Sequence, residues 1–147
     1  MALSTQDKAA ALAGVPLFAG ISKESMERLA AVTGEQEFAA GQFIVRQGQV
    51  GTGLYLILSG SVKVMRGGDE LVRLGKGEFF GELSVIDQKP RNASIEAAEP
   101  TEVLALASWD LLALLETDPQ LSLNLIKGLV ARVRLAVDEL SGERQGH

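Results

Sequence analysis

The sequence predicts an α+β fold, mainly β: an antiparallel β jelly-roll barrel flanked by N-terminal helices and followed by a long C-terminal helix. Three observations carry this. Eleven of the 16 glycines lie between Gly34 and Gly81, several of them seven residues apart (Gly41 and Gly48, Gly53 and Gly60, Gly60 and Gly67). Glycine at such spacing punctuates short strands, because it accepts the positive φ of tight turns. Runs rich in β-branched and large apolar residues fill the intervals, and capped segments of helical character flank them on both sides.

Ser4 can cap a first helix, with Asp7 three residues on and Gly14 past its end. Ser22 can cap a second over about residues 23–33, and Ile21 and Met26 fit a hydrophobic staple across that cap. Strands are expected at Phe43–Val45, Leu54–Leu58, Val62–Met65, Leu71–Leu74, Asn92–Ala98 and Thr101–Ala107. Ser59-Gly60 reads as the turn of a hairpin between the second and third of these. Many short strands at this spacing indicate a sandwich or jelly-roll barrel. Ser108 can cap a third helix, and Asp118-Pro119 ends it and begins a fourth that runs to about Leu140. Along that helix Ile126, Val133 and Leu140 recur every seven residues, with Leu129/Val130 and Ala136/Val137 between them. This apolar stripe can pack on the barrel or pair with another copy of the chain. The tail SGERQGH is expected to be loose. Residues 1–147 read as a single domain, with helices in 1–33, the barrel in 34–107 and helices in 108–142.

Composition narrows the chemistry. Lys plus Arg is 14 and Asp plus Glu is 19, a net charge of −5, which does not suit a phosphate-binding nucleic-acid surface. There is no cysteine, and the one histidine is the terminal His147. Thiolate chemistry, Ser-His-Asp triads and multi-His metal sites are thereby excluded, so no metal and no catalytic group is expected. No apolar run has the length of a membrane span, and the opening MALSTQDKAA lacks the pattern of a secretory signal; the cytoplasm is the expected compartment.

The segment FFGELSVIDQKPRNASIEAA over residues 79–98 carries the chemistry. Gly81 permits close backbone approach, and Glu82 to Ile86 can form a short helical turn whose first N–H groups have no internal partner. Arg91 follows nine residues after Glu82. Backbone amides, a helix start and an arginine make an anion site, with phosphate the usual anion. A carboxylate there makes sense if the ligand also offers a hydroxyl, as a ribose does. The constellation asks for one phosphate and one sugar hydroxyl.

Phe80-Gly81-Glu82-Leu83-Ser84-Val85-Ile86 together with Pro90-Arg91-Asn92-Ala93-Ser94 closely resembles the phosphate-binding cassette of the cyclic-nucleotide-binding domain family, here within residues 79–95. Leu17-Phe18-Ala19-Gly20-Ile21-Ser22 resembles the family's helical entry, and Leu54 to Gly60 its central strand and turn. The resemblance implies cyclic AMP or cyclic GMP as ligand. It implies that Arg91 contacts the cyclic phosphate, that Glu82 accepts from the ribose 2′-OH, and that the backbone amides of Leu83, Ser84 and Ala93 bind phosphate or sugar oxygens. Ser94 completes the motif. Asn92 is neither the alanine of many cyclic-AMP sites nor the threonine or serine associated with guanine, so the base stays open. The last helix would act as a lid over the base, with Val130, Val133, Arg134 and Val137 as candidate contacts. Val85 and Ile86 would press on the junction between the last two helices as the site fills.

Three function classes follow. The first is a sensor that binds a cyclic nucleotide and signals to an unknown protein partner or its own dimer through the C-terminal helix. The second is a jelly-roll enzyme of the cupin kind, which needs the metal-binding histidines this chain lacks. The third is an interaction module that keeps the fold without the nucleotide. DNA-binding relatives append a helix-turn-helix of roughly 60 or more residues. Seven residues follow Leu140 here, so direct DNA binding is not expected.

Overall fold

A computed structural model of the chain describes residues 3–48, 53–81 and 93–145, with side chains as far as residue 140. Helix α1 (Thr5–Ala13) and a 3-10 turn (Pro16–Phe18) lead into α2 (Lys23–Val32). Eight strands follow: β1 (Gly34–Phe38), β2 (Phe43–Val45), β3 (Gly53–Ser59), β4 (Ser61–Arg66), β5 (Asp69–Gly75), β6 (Phe79–Phe80), β7 (Ser94–Ala97) and β8 (Thr101–Ala107). Helices α3 (Ser108–Thr117) and α4 (Pro119–Gln145) close the chain. The strands form two four-stranded antiparallel sheets, β1-β8-β3-β6 and β2-β7-β4-β5, packed as the expected jelly roll.

The first sheet is apolar on both faces. Leu54, Leu56, Phe79, Leu104 and Leu106 point at the helices, where they meet Leu12, Leu29, Leu111, Leu114, Leu121 and Leu125. The alternate residues Ile57, Phe80 and Val103 point inward, against Val45, Val62 and Ile95 of the second sheet. Burial on both faces is why β3 reads Leu-Tyr-Leu-Ile-Leu without polar alternation. Tyr55 stacks on Phe80 across the β3–β6 pair at 5.1 Å between ring centres.

The expected hairpin at Ser59-Gly60 is not one. β3 pairs with β8 and β6, whereas β4 pairs with β5 and β7, so the chain changes sheets at Gly60. Gly60 sits at φ +86°, and a Cβ there would lie 2.5 Å from the carbonyl oxygen of Pro100 and 2.8 Å from the Cα of Thr101. The corner is thus wedged against the β7–β8 corner, itself a change of sheet. Ser61 joins them: its carbonyl accepts from the Thr101 hydroxyl at 3.0 Å and its hydroxyl donates to Glu99 at 2.8 Å. The hairpin of the region is β4–β5, turned by Gly67-Gly68 with both φ angles positive, the type I′ signature.

The helix ends follow side-chain chemistry with one exception. Ser4 and Asp7 form the expected capping box, and the Ser22 hydroxyl accepts from the Ser25 N–H at 3.0 Å. Ser108 does not cap α3: it is already helical, the cap position is Ala107, and no side chain caps it, because β8 pairing runs through Ala107 to the first helical residue. Helix α4 outruns its expected end at Leu140, since Glu143, Arg144 and Gln145 favour helix and carry it past Gly142.

Asp118 carries the junction. Its buried carboxylate accepts from the Gln120 and Leu121 N–H groups at 3.1 and 3.3 Å, capping α4, and from the Ser22 N–H at 3.3 Å, at the start of α2. The Ser25 hydroxyl, foremost, and these backbone N–H groups hold its carboxyl below the ordinary value against the opposing effect of burial. Because the folded carboxyl titrates below the unfolded one, its stabilisation is complete above the unfolded value and is lost as pH falls through the folded value. Asp118→Ala should lower stability by about 2 kcal/mol near neutral pH, the loss of a shared N-cap. Urea unfolding of the natural chain and of Asp118→Asn checks the sign: the gap between them should be widest at about pH 7 and shrink below about pH 4.

Candidate functional site

The cassette joins two strands that the fold holds firmly. β6 ends it on one side, with Phe79 and Phe80 buried and paired to Leu56 and Tyr55 of β3. β7 begins on the other, between β2 and β4. Gly81 follows β6 directly and has φ 97°, in the left-handed region. Ala93 is half-buried, and Ser94 opens β7 with its hydroxyl accepting from the Gln47 N–H at 2.8 Å, which ties the end of the β2 segment to the cassette's exit. Glu82, Leu83, Ser84, Arg91 and Asn92, and with them Val85 and Ile86, lie outside the described residues.

Helix α4 passes beside this strand end. Its base is fixed by Asn124, whose side-chain amide donates to the carbonyls of Leu17 and Ala19 at 2.9 and 2.7 Å, and by Ser122, whose hydroxyl donates to Leu115 at 2.7 Å. Leu121 and Leu125 are buried in the helical core, and Leu129 packs at its edge. One face further along meets Phe79. A Cβ on Gly128 would stand 3.5 Å from the ring, and the Arg132 guanidinium lies 4.4 Å over the ring centre while donating to the Phe79 carbonyl.

The candidate lid residues lie elsewhere on the helix. Val130, Val133 and Val137 are 47%, 63% and 54% exposed, Arg134 is exposed too, and the first three share an open face with Ile126 and Leu140. At 100° per residue that face lies roughly 140° around the helix from Gly128 and Arg132. In this arrangement the stripe does not pack on the barrel. Arg132 lies off the heptad of the apolar stripe. The signal that finds it is the series Leu121, Leu125, Gly128, Arg132, whose steps of four and three continue the buried face.

Phe79 and Phe80 are core residues, and so is the partly buried Tyr55; Trp109 is 68% exposed on the first turn of α3. An open apolar groove of about 550 Å³ lies between α1 and α2, lined by Ala9, Phe18, Ile21 and Met26 with Lys23 and Glu27, and it shares no residue with the cassette. Among the described residues no group of three or more His, Cys, Asp and Glu could hold a metal ion, and no helix is long and apolar enough to cross a membrane.

Comparison with known proteins places this geometry. Residues 35–118 match the family model of the cyclic nucleotide-binding domain. The chain is 41% identical over 132 residues to the cyclic AMP receptor protein of Thermus thermophilus, covering 86% of this chain and 61% of that protein. The crystal structure of the Thermus thermophilus catabolite activator protein superposes with a TM-score of 0.75 at 40% identity, over 86% of this chain and 62% of that one. The regulatory domain of Toxoplasma gondii PKA, crystallised with cAMP, gives a TM-score of 0.76 at 25% identity, over 84% of this chain and 49% of that one. The chain therefore spans less than two thirds of each of these relatives.

Proposed function

Because the chain belongs to the cyclic nucleotide-binding domain family, we propose that it is a sensor for a 3′,5′-cyclic purine mononucleotide, cyclic AMP in preference to cyclic GMP. The observation that carries this reading is the two-part signature Phe80-Gly81-Glu82-Leu83 and Pro90-Arg91-Asn92-Ala93-Ser94 inside a matching domain. Arg91 neutralises the cyclic phosphate, Glu82 accepts from the ribose hydroxyl, and the amides of Leu83, Ser84 and Ala93 complete the cradle, with Gly81 giving them room. The name of the Thermus relative and the ligand crystallised with the Toxoplasma domain support cyclic AMP. The role is regulatory rather than catalytic, residues 1–147 act as one domain, and the setting is cytoplasmic.

The output leaves through α4, and the partner is a second copy of the chain. Ile126, Val130, Val133, Val137 and Leu140 recur at steps of four and three, and each is about half exposed. Val130 and Val137 take the a-type positions of this heptad and Ile126, Val133 and Leu140 the d-type positions. Lys127 and Arg134 occupy the flanking e-type positions; an antiparallel pair would set these like charges against each other, so the helices run parallel.

Calorimetry should show binding of cyclic AMP, weaker binding of cyclic GMP and none of linear AMP. Absence of heat with either cyclic ligand up to about 1 mM would favour the interaction-module reading instead. Arg91→Ala should cost about 2–5 kcal/mol of binding, roughly 30-fold to several thousandfold, and Glu82→Gln about 1–2 kcal/mol. Sedimentation velocity should find a dimer, and Val133→Lys should yield a monomer with unchanged secondary structure.

A further inference from the structure

Helix α4 offers one face outward and another to Phe79, and only the inner one touches the strand that enters the cassette. Phe79 is held from two successive turns of that helix. Gly128 sits against its ring, where a Cβ would come within 3.5 Å, and Arg132, half-buried one turn later, lies over the ring and bonds the carbonyl of the same residue. A Cβ at position 128 would already be in ordinary contact with the ring, so a side chain longer than alanine's has to move the helix or the ring. A cation over an aromatic face combined with a charge-assisted hydrogen bond to the same residue fixes both the height and the rotation of the helix over the strand. Gly81 comes two residues after Phe79, so whatever fixes Phe79 also fixes the point from which the cassette departs.

We propose that Arg132 is a positioning residue of the nucleotide site: through Phe79 it pins the entry of the cassette to helix α4, so that ligand affinity and the seating of the helix rise and fall together. The inference rests on the cyclic-nucleotide reading. With the pin in place the strand end and the helix are ordered before ligand arrives, and less binding energy goes into ordering them. Without it the ligand must supply that order itself, and affinity falls. Helix and ligand then influence each other only by the difference this contact makes.

Calorimetry of the full chain with cyclic AMP, paired with hydrogen exchange, tests this in the natural protein, Arg132→Met, Arg132→Lys and Gly128→Leu. Arg132→Met should weaken binding about tenfold, with Arg132→Lys recovering part of the loss because the charge over the ring remains. Gly128→Leu keeps the arginine but lifts the helix off the ring, and should reproduce the loss. Without ligand the amides of residues 126–132 should already be protected in the natural protein and less so in Arg132→Met, and saturating cyclic AMP should raise their protection more in Arg132→Met than in the natural protein, a difference confined to the helix that a general loss of stability would not produce. If the natural protein binds neither cyclic nucleotide, the reading of the site itself is overturned. If it binds, and Arg132→Met binds as well or better with the same gain of protection along the helix, the positioning role is overturned and the reading of the site stands.

Discussion

A single carboxylate sets where the long helix starts. Asp118 is buried, and it accepts from backbone groups at the beginnings of two helices that are far apart in sequence, α2 and α4. Each helix start exposes N–H groups that need an acceptor, and here one acid serves both. Pro119 then begins α4 without an N–H of its own to satisfy. Asn124, a turn further on, ties the helix to the 3-10 turn through two carbonyls. The N-terminal helices and the base of α4 consequently form one layer over the outer face of the β1-β8-β3-β6 sheet. Everything α4 does beyond residue 125 is done from this fixed origin.

Much of that architecture was legible in the sequence, and the failures have physical causes. Caps at Ser4 and Ser22 and the Asp118-Pro119 break are local chemistry, so they could be read directly. The limits of β8 were legible because Glu99-Pro100 precedes it and, Glu102 apart, apolar and β-branched residues fill it. β1, Gly-Glu-Gln-Glu-Phe, was missed, since an edge strand with little buried surface owes its form to pairing with β8 rather than to an apolar pattern. β6 is two residues long and owes its form to β3. The supposed hairpin at Gly60 failed because a tight turn between two strands does not say whether they share a sheet; the close contact with Pro100 and Thr101 decides that, and it is forty residues away. The cassette was legible as a motif because its spacing is tied to one ligand chemistry. Arg132 was not, because its partner Phe79 lies 53 positions earlier and only the packed helix brings them together.

The two faces of α4 divide its work. The inner series Leu121, Leu125, Gly128 and Arg132 faces the sheet and the cassette entry, and the outer series from Ile126 to Leu140 stays open. Contacts on one face leave the other available, so nucleotide and protein partner need not compete for the same side chains. A rigid rod seated on its inner face turns its outer face with it.

That outer face has a consequence for the rod itself. Past Arg132 every side chain as far as Leu140 is exposed, so these two turns receive no side-chain support from the rest of the fold. The seated part of α4 supplies the nucleus for these turns, and valine at 133 and 137 with glycine at 142 makes their extension weaker. The distal part of α4 thus frays more readily than its base, and whatever covers the stripe will firm it. Covering that stripe would slow amide exchange in these turns without altering the sandwich.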